Sequence, residues 1–310
     1  MAHQECDFPF SAKTREAIKL ALEEDVGLRD VTTDLLVPKH CKAKAVIWSR
    51  ANGLFCGESI VQEVFYQLDP ALKVTSLLRE GTLFKRHRPL MTLEGSAGAI
   101  LRGERTALNL LARLCGIAML TQEFVKRVKG SPVLILDTRK TTPLWREIEK
   151  YAVRMGGGKN HRFGLHDAIF VKENHRLFGS LKPLQRFRGR FEIEVRNLRE
   201  LREALPLEPG VILFDNFNPG QLRTAVKLAR KKHPQVILEA SGGMTLENIS
   251  HYAAMGVDWI SVGALTHSAK PIDLSLLIEK KKKRIRACQS KITFPRKGPD
   301  EGEENKGEGR

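Results

Sequence analysis

Paired cysteines are missing from this sequence. Its five cysteines, Cys6, Cys41, Cys56, Cys115 and Cys288, are odd in number and scattered, and no Cys-x-x-Cys occurs. That argues against a zinc ribbon, a dithiol redox motif and a disulfide framework, and the five read as buried structural thiols in a reducing cytoplasm. Also lacking is any apolar run approaching the ~20 residues that cross a bilayer. The opening stretch, residues 1–7, has no cationic segment followed by an apolar one, which speaks against a secretory signal. No exact internal repeat is visible. Acid is in short supply: 36 Asp and Glu stand against 52 Lys and Arg, a net charge of +16. Such an excess fits nucleic acid or another polyanion, or else a small, highly anionic substrate.

What is present is an ordinary globular composition, 42% apolar and 28% charged, in a chain of 310 residues that has room for one large domain or two smaller ones. The longest basic run, Lys280-Lys281-Lys282-Lys283-Arg284, reads as a solvated helix end. The Gly-, Glu- and Lys-rich stretch from Arg296 to Arg310 reads as disordered tail. No RNA- or DNA-binding signature accompanies these cations, so location favours the small anionic substrate.

Residues 11–24 carry apolar groups at helical spacing behind a candidate N-cap, Ser11. From Cys41 to Gly95, strand-like pieces (43–48, 89–94) flank a helical segment at 59–68, an α+β pattern. A long helix starts near Leu101. From Pro132 onward, short apolar strands recur at 133–136, 168–171, 191–195, 211–214, 236–238 and 259–262. Helical segments at 143–155, 197–205, 219–232 and 245–255 lie between them. That rhythm predicts βα units around a parallel sheet, as a partial or a complete barrel.

The strand ends carry the chemistry. They deliver Asp137-Thr138-Arg139-Lys140, Lys172, Glu194, Asp215, Ser241-Gly242-Gly243 and Gly263, and in parallel βα barrels such ends converge on one catalytic face. Ser241-Gly242-Gly243, after a strand and before a helix, suits a phosphate, with Gly263 completing the cradle. Glu194 and Asp215 offer hard oxygens to Mg²⁺, or contacts to a ribose. Arg105, Arg139, Lys140, His161, Arg162 and Lys172 form a cationic set whose mutual repulsion asks for a substrate with more than one carboxylate.

At these residues the chain resembles quinolinate phosphoribosyltransferase, from about Glu24 to Leu277. The motifs are Asp30-Val31-Thr32-Thr33-Asp34, Glu104-Arg105-Thr106-Ala107-Leu108-Asn109, Asp137-Thr138-Arg139-Lys140-Thr141-Thr142-Pro143, Glu149-Lys150-Tyr151-Ala152-Val153, Gly156-Gly157-Gly158-Lys159-Asn160-His161-Arg162, Glu192-Ile193-Glu194-Val195, Asp215-Asn216-Phe217 and Ser261-Val262-Gly263-Ala264. The resemblance implies an α/β subunit: an N-terminal α/β sandwich (residues 1–115) and a C-terminal irregular α/β barrel (116–275). A basic C-terminal helix (276–290) and a polar, disordered tail (291–310) are expected to follow.

It also implies transfer of phosphoribosyl from phosphoribosyl pyrophosphate (PRPP) to quinolinate with decarboxylation, and Mg²⁺ as cofactor. Residue by residue, Arg139, His161, Arg162 and Lys172 would hold the quinolinate carboxylates, and Arg105 would enter the neighbour's site in a homodimer. Lys140, Lys172, Glu194 and Asp215 would be catalytic, the two acids at the ribose or its metal. Ser241, Gly242, Gly243 and Gly263 would seat the 5′-phosphate. No membrane or nucleic-acid partner is implied.

Two departures from the family pattern stand out: Leu144-Trp145 where Gly-Leu is usual, expected to stiffen that loop, and Glu173 in place of an aspartate. Rival readings are a transferase for nicotinate or another aromatic acid, the molybdenum-transport-associated relative of the same fold, and a basic nucleic-acid-binding module.

Overall fold

The structure, a computed structural model, describes residues 9–187 and 189–279. Cys6, Cys288, the basic run at 280–284 and the tail at 291–310 lie outside them. Helix α1 (Ala12–Val26) starts where the sequence places it, its N-cap Ser11 accepting from the Thr14 amide, with Ile18 and Leu22 buried. Then come α2 (Val31–Leu36), capped by Asp30, β1 (Lys42–Ser49), β2 (Gly53–Leu54), α3 (Glu58–Leu68), β3 (Lys73–Ser76), β4 (Leu83–Phe84) and β5 (Pro89–Ser96). Helix α4 (Ala97–Arg127) follows without a break.

The barrel half holds β6 (Leu134–Leu136), α5 (Arg146–Met155), β7 (Ile169–Val171), α6 (Glu173–Phe178), β8 (Phe191–Val195), α7 (Leu198–Ala204) and β9 (Val211–Asp215). It continues through α8 (Pro219–Lys232), β10 (Ile237–Ser241), α9 (Ile249–Ala253), β11 (Trp259–Ser261) and α10 (Ala264–His267) before the closing strand β12 (Leu274–Ile278).

The first sheet is antiparallel, in the order β12-β1-β5-β3, and α1, α3 and α4 pack around it; β2 and β4 form a small second ribbon. The helix expected from residue 276 does not begin there, because Leu276–Ile278 belong to β12. The reason is the free edge of β1, whose Ala45–Ser49 pair with 274–278 and so satisfy backbone groups that would otherwise stand open. The chain thus returns to its first sheet after building the barrel. The division placed at 115/116 falls inside α4, which buries Ile100, Leu108, Leu111, Cys115, Ile117 and Phe124 along its length. This 31-residue helix is also long and apolar enough to cross a membrane, yet these side chains are spent on the protein core. Cys56 and Cys115 are buried, as expected; Cys41 is only partly so.

The second sheet is parallel, in the order β6-β11-β10-β9-β8-β7. Its end strands do not pair with each other. Beside β6 runs the segment at Lys159, which forms a single parallel bridge to Leu136, with its N–H donating to Ile135 (2.8 Å). Six strands and a bridged segment make an irregular barrel. The sequence strands are recovered with ends moved by up to three residues, because the short apolar runs mark the core and the ladders run past them into polar residues such as Asp215 and Ser241.

Candidate active site

A cavity of about 500 Å³ opens at the C-terminal ends of the barrel strands. Arg139 and Lys140 follow β6, Lys172 follows β7, and Glu194, Asp215 and Ser241 sit late in β8, β9 and β10. Gly242, Gly243 and Gly263 line the same space, as do His161 and Arg162. Every site position expected from the sequence is therefore at one mouth except Arg105, which is exposed on α4 and absent from the cavity wall.

The loops are braced from below. Buried Asp137 accepts from Lys150 of α5, from Asn160 Nδ2 (2.5 Å) and from the His161 amide (2.9 Å); Lys150 also donates to the His161 carbonyl (3.0 Å). Burial raises the Asp137 pKa and lowers that of Lys150, each opposing the other's attraction. Buried Glu149 accepts from Arg113 of α4 (2.9 Å) and from the Thr142 hydroxyl (2.8 Å), while Arg113 also reaches the Thr266 carbonyl. One helix thereby ties together the loops after β6 and β11.

Gly242 and Gly243 have φ of +95° and +60°. A Cβ on Gly242 would fall 2.2 Å from Asn216 Oδ1, whereas Gly243 faces open space. Such a bare turn leaves amides free for an anion. At Gly263 a Cβ would press on Lys140 Cδ and His267 Nε2, both at 3.1 Å.

Lys172 Nζ pairs with Glu194 Oε2 at 2.9 Å. Burial raises the Glu194 pKa to about 7, helped by a proton-sharing contact with Glu173 and the charge of Asp215 and opposed by Lys172. Two carboxylates on adjacent strand ends, one of them held back from ionising by burial despite its Lys172 partner, are hard-oxygen donors that fit a Mg²⁺ ion. Burial and the nearby Arg139 charge depress the Arg162 pKa.

Three polar groups of the floor were not anticipated as site residues: Glu192, Glu239 and Ser261. Their signal was the two-residue period, which puts Glu192 on the same strand face as Glu194, and Glu239 with Ser241. His161 Nε2 lies 3.0 Å from Glu192 Oε2 and 3.6 Å from Glu239 Oε2, and Ser261 Oγ donates to Glu239 Oε1 (2.5 Å). Glu239 is fully buried, its Oε2 has no hydrogen-bond partner, and its pKa is pushed up to about 8, by burial first and then by Glu192. The ligand atoms of His161, Glu192 and Glu239 lie within 4.8 Å of one another, close enough for a metal. However, the Arg162 amide donates to His161 Nδ1 (2.8 Å), which leaves the ring proton on Nε2, facing the acids. His161 is hydrogen-bonded to Glu192, with Glu239 close by but bonded to Ser261 instead, and both nitrogens of His161 are taken up within the protein.

Comparison with known proteins gives one answer. Residues 30–115 match the quinolinate phosphoribosyl transferase N-terminal domain and residues 117–277 its C-terminal domain. A probable carboxylating nicotinate-nucleotide pyrophosphorylase of Methanocaldococcus jannaschii is 40% identical over 272 residues, covering 84% of this chain and 95% of that protein. Its Bacillus subtilis counterpart is 38% identical over 274 residues, 86% and 93% of the two chains. The solved nicotinate-nucleotide pyrophosphorylase of Francisella tularensis superposes with a TM-score of 0.79 at 35% identity, covering 89% of this chain and 100% of that one.

Proposed function

The chain belongs to the quinolinate phosphoribosyltransferase family, and from that premise we propose that the barrel mouth is its active site, completed by a second subunit. The reaction is that of carboxylating nicotinate-nucleotide pyrophosphorylases: phosphoribosyl passes from PRPP to quinolinate with loss of carbon dioxide, giving nicotinate mononucleotide and pyrophosphate for de novo NAD synthesis. The observation that carries the site assignment is the single cavity in which Arg139, Lys140, Arg162 and Lys172 meet a glycine cradle and two acids.

Arg139, Arg162 and Lys172 grip the two quinolinate carboxylates, since these cations lack enough acids to neutralise them and a dianion supplies what is missing. His161, with both ring nitrogens engaged by the Arg162 amide and the Glu192 carboxylate, holds that loop and the floor in place rather than donating to a substrate carboxylate. The 5′-phosphate sits on the amides of Ser241, Gly242 and Gly243, with Gly263 leaving room beside Lys140. Lys140 approaches the pyrophosphate. Glu194 and Asp215 hold the ribose hydroxyls or Mg²⁺, which when bound supplies positive charge against the departing pyrophosphate.

The ring nitrogen attacks C1 of the ribose as the C–O bond to pyrophosphate breaks, with Lys140 and Asp215 stabilising the opposite charges that develop. The ring is now cationic. It accepts the electron pair freed when the C2–carboxylate bond breaks, carbon dioxide leaves, and C2 takes up a proton. For that step the protein need only hold the remaining carboxylate in place.

Arg105 reaches the mouth of a neighbouring barrel in a homodimer. The face around it supports this: α2 packs on α4 through the Asp34–Arg102 pair and leaves Leu28, Val31, Leu35 and Leu36 exposed, while Leu165, Leu177 and Phe178 stand bare near the barrel rim. The scattered thiols, with no Cys-x-x-Cys among them, support a reducing compartment such as the cytoplasm.

The test is incubation of folded protein with quinolinate, PRPP and Mg²⁺. Pyrophosphate and nicotinate mononucleotide are expected together, and nicotinate in place of quinolinate gives neither. Absence of both products overturns the assignment.

A further inference from the structure

Phe170 is central to β7 and, with Lys172 two residues on, lines the cavity. Its ring is flanked by two of the cations assigned to the diacid and by His161 of the floor. The Arg162 guanidinium carbon lies 4.9 Å from the ring centroid, Lys172 Nζ 4.8 Å, and the His161 ring centroid 5.7 Å at a tilt of 34°. Both cation distances are within the ~6 Å over which a ring face attracts a positive charge.

The cations need such help. Arg139 and Arg162 share the cavity and repel, and the Nε of each is buried without a hydrogen-bond partner. Lys172 already has Glu194 at 2.9 Å; a further carboxylate beside Arg162 would steady it but would also compete with the substrate's carboxylates. An aromatic face steadies them without neutralising them, because it acts through its quadrupole and carries no charge.

We propose that Phe170 is a positioning residue for diacid recognition: its ring fixes the spacing of Arg162 and Lys172 in the empty site so that two neighbouring carboxylates on one aromatic ring find both cations in place. This rests on the reading that Arg162 and Lys172 hold the substrate carboxylates. The ring thereby contributes to selection of a diacid over a monoacid, since a single carboxylate does not need both cations at a set separation.

The experiment grades the ring charge without changing its shape, by replacing Phe170 with phenylalanines carrying increasing numbers of fluorine atoms. KM for quinolinate is expected to rise stepwise with fluorination, while kcat and KM for PRPP stay level. Phe170→Leu, of similar bulk but with no ring, should raise KM for quinolinate by about 2- to 30-fold. Inhibition by nicotinate should hardly change across the series. A packing role alone predicts a flat fluorination series and overturns the proposal. Arg162→Ala and Lys172→Ala serve as the reference arm: if neither raises KM for quinolinate, the reading of the carboxylate grip fails first. If both do while the fluorinated series stays flat, only the role of Phe170 falls.

Discussion

Leu144 has φ of +67° and is 74% exposed. A branched side chain gains nothing from such a position and pays the left-handed penalty of roughly 1–2 kcal/mol. The sequence marked this residue as a departure, standing where glycine is usual, and the backbone supplies the reason glycine fits. The loop is held in this shape by Thr142 on Glu149 and by Arg146 on Thr141 (2.9 Å). Leu144→Gly should therefore stabilise the protein by roughly 0.5 kcal/mol after the entropic cost of glycine, read as a shift in denaturant midpoint. Leu144→Ala keeps the Cβ and should gain nothing; an equal gain from alanine would place the liability in the exposed side chain instead.

Glu239 makes a second prediction at this scale. Its pKa in the fold is about 8, above its ordinary 4.5, so the folded state favours the protonated form. That contribution is complete below about pH 4.5 and is lost as pH rises through about 8. The groups facing the carboxyl are Glu192, His161, Lys172 and Ser261. The midpoint of denaturation should fall between pH 5 and pH 8, as an order-of-magnitude window, and Glu239→Gln, which cannot ionise, should flatten that fall. Parallel slopes in the two proteins would show that Glu239 is already ionised. Glu239 and Phe170 were hidden in the sequence for a common reason. Phe170 lies inside an apolar strand, where one letter reads as core; Glu239 stands just past the apolar run at 236–238, and the importance of both arises only from what neighbouring strands bring against them. Arg139, Lys140, Lys172 and Asp215 were legible because they stand just where such runs end.

Between elements, the decisive contact is Lys150 on Asp137, both almost fully buried. It joins α5 to the end of β6, and through the same carboxylate fixes Asn160 and His161. Lys150→Met strands a buried carboxylate, and should cost about 3–5 kcal/mol, seen in thermal or denaturant unfolding. Adding Asp137→Leu to it should recover much of that stability but not activity, since the His161 amide then has no acceptor and Asn160 keeps only the carbonyl of residue 150. Recovery of activity in the double variant would show that the loop after α5 keeps its place unaided. The elements themselves were mostly legible: α1, α3, α8 and the barrel strands follow periods of 3.6 and 2 that the sequence displays. β12 was not, because its pairing with β1 links residues more than 220 apart in sequence by the registers of Ala45 with Ile278 and Ser49 with Leu274. Nor was the extent of α4, whose apolar periodicity runs through the point where one sheet's core gives way to the other's.

At the scale of the whole molecule, the proposal of a shared site turns on Arg105, which is exposed on α4 and absent from the wall of its own subunit's cavity. If the missing cation comes from the other subunit, two defective chains should repair each other. Arg105→Ala has an intact barrel and nothing to lend; Arg139→Ala has a damaged barrel and an intact Arg105. In a mixed dimer, the barrel of the first receives the arginine of the second and becomes native, while the other site loses both groups. Random pairing then makes about a quarter of all sites native, given two-fold symmetry. Mixing the two nearly inactive proteins, with exchange driven by dilute denaturant and confirmed by a mass tag, should restore activity toward that fraction. No recovery in mixed dimers that demonstrably form would place Arg105 outside the site of either subunit. The distinction matters for the charge argument as well. The cavity already concentrates more positive charge than its acids balance, and an arginine arriving with the partner adds to that repulsion unless the diacid is present. Occupancy by quinolinate should therefore tighten the dimer, measurable as a lower dissociation constant in sedimentation with the substrate than without it, and Arg105→Ala should abolish that difference.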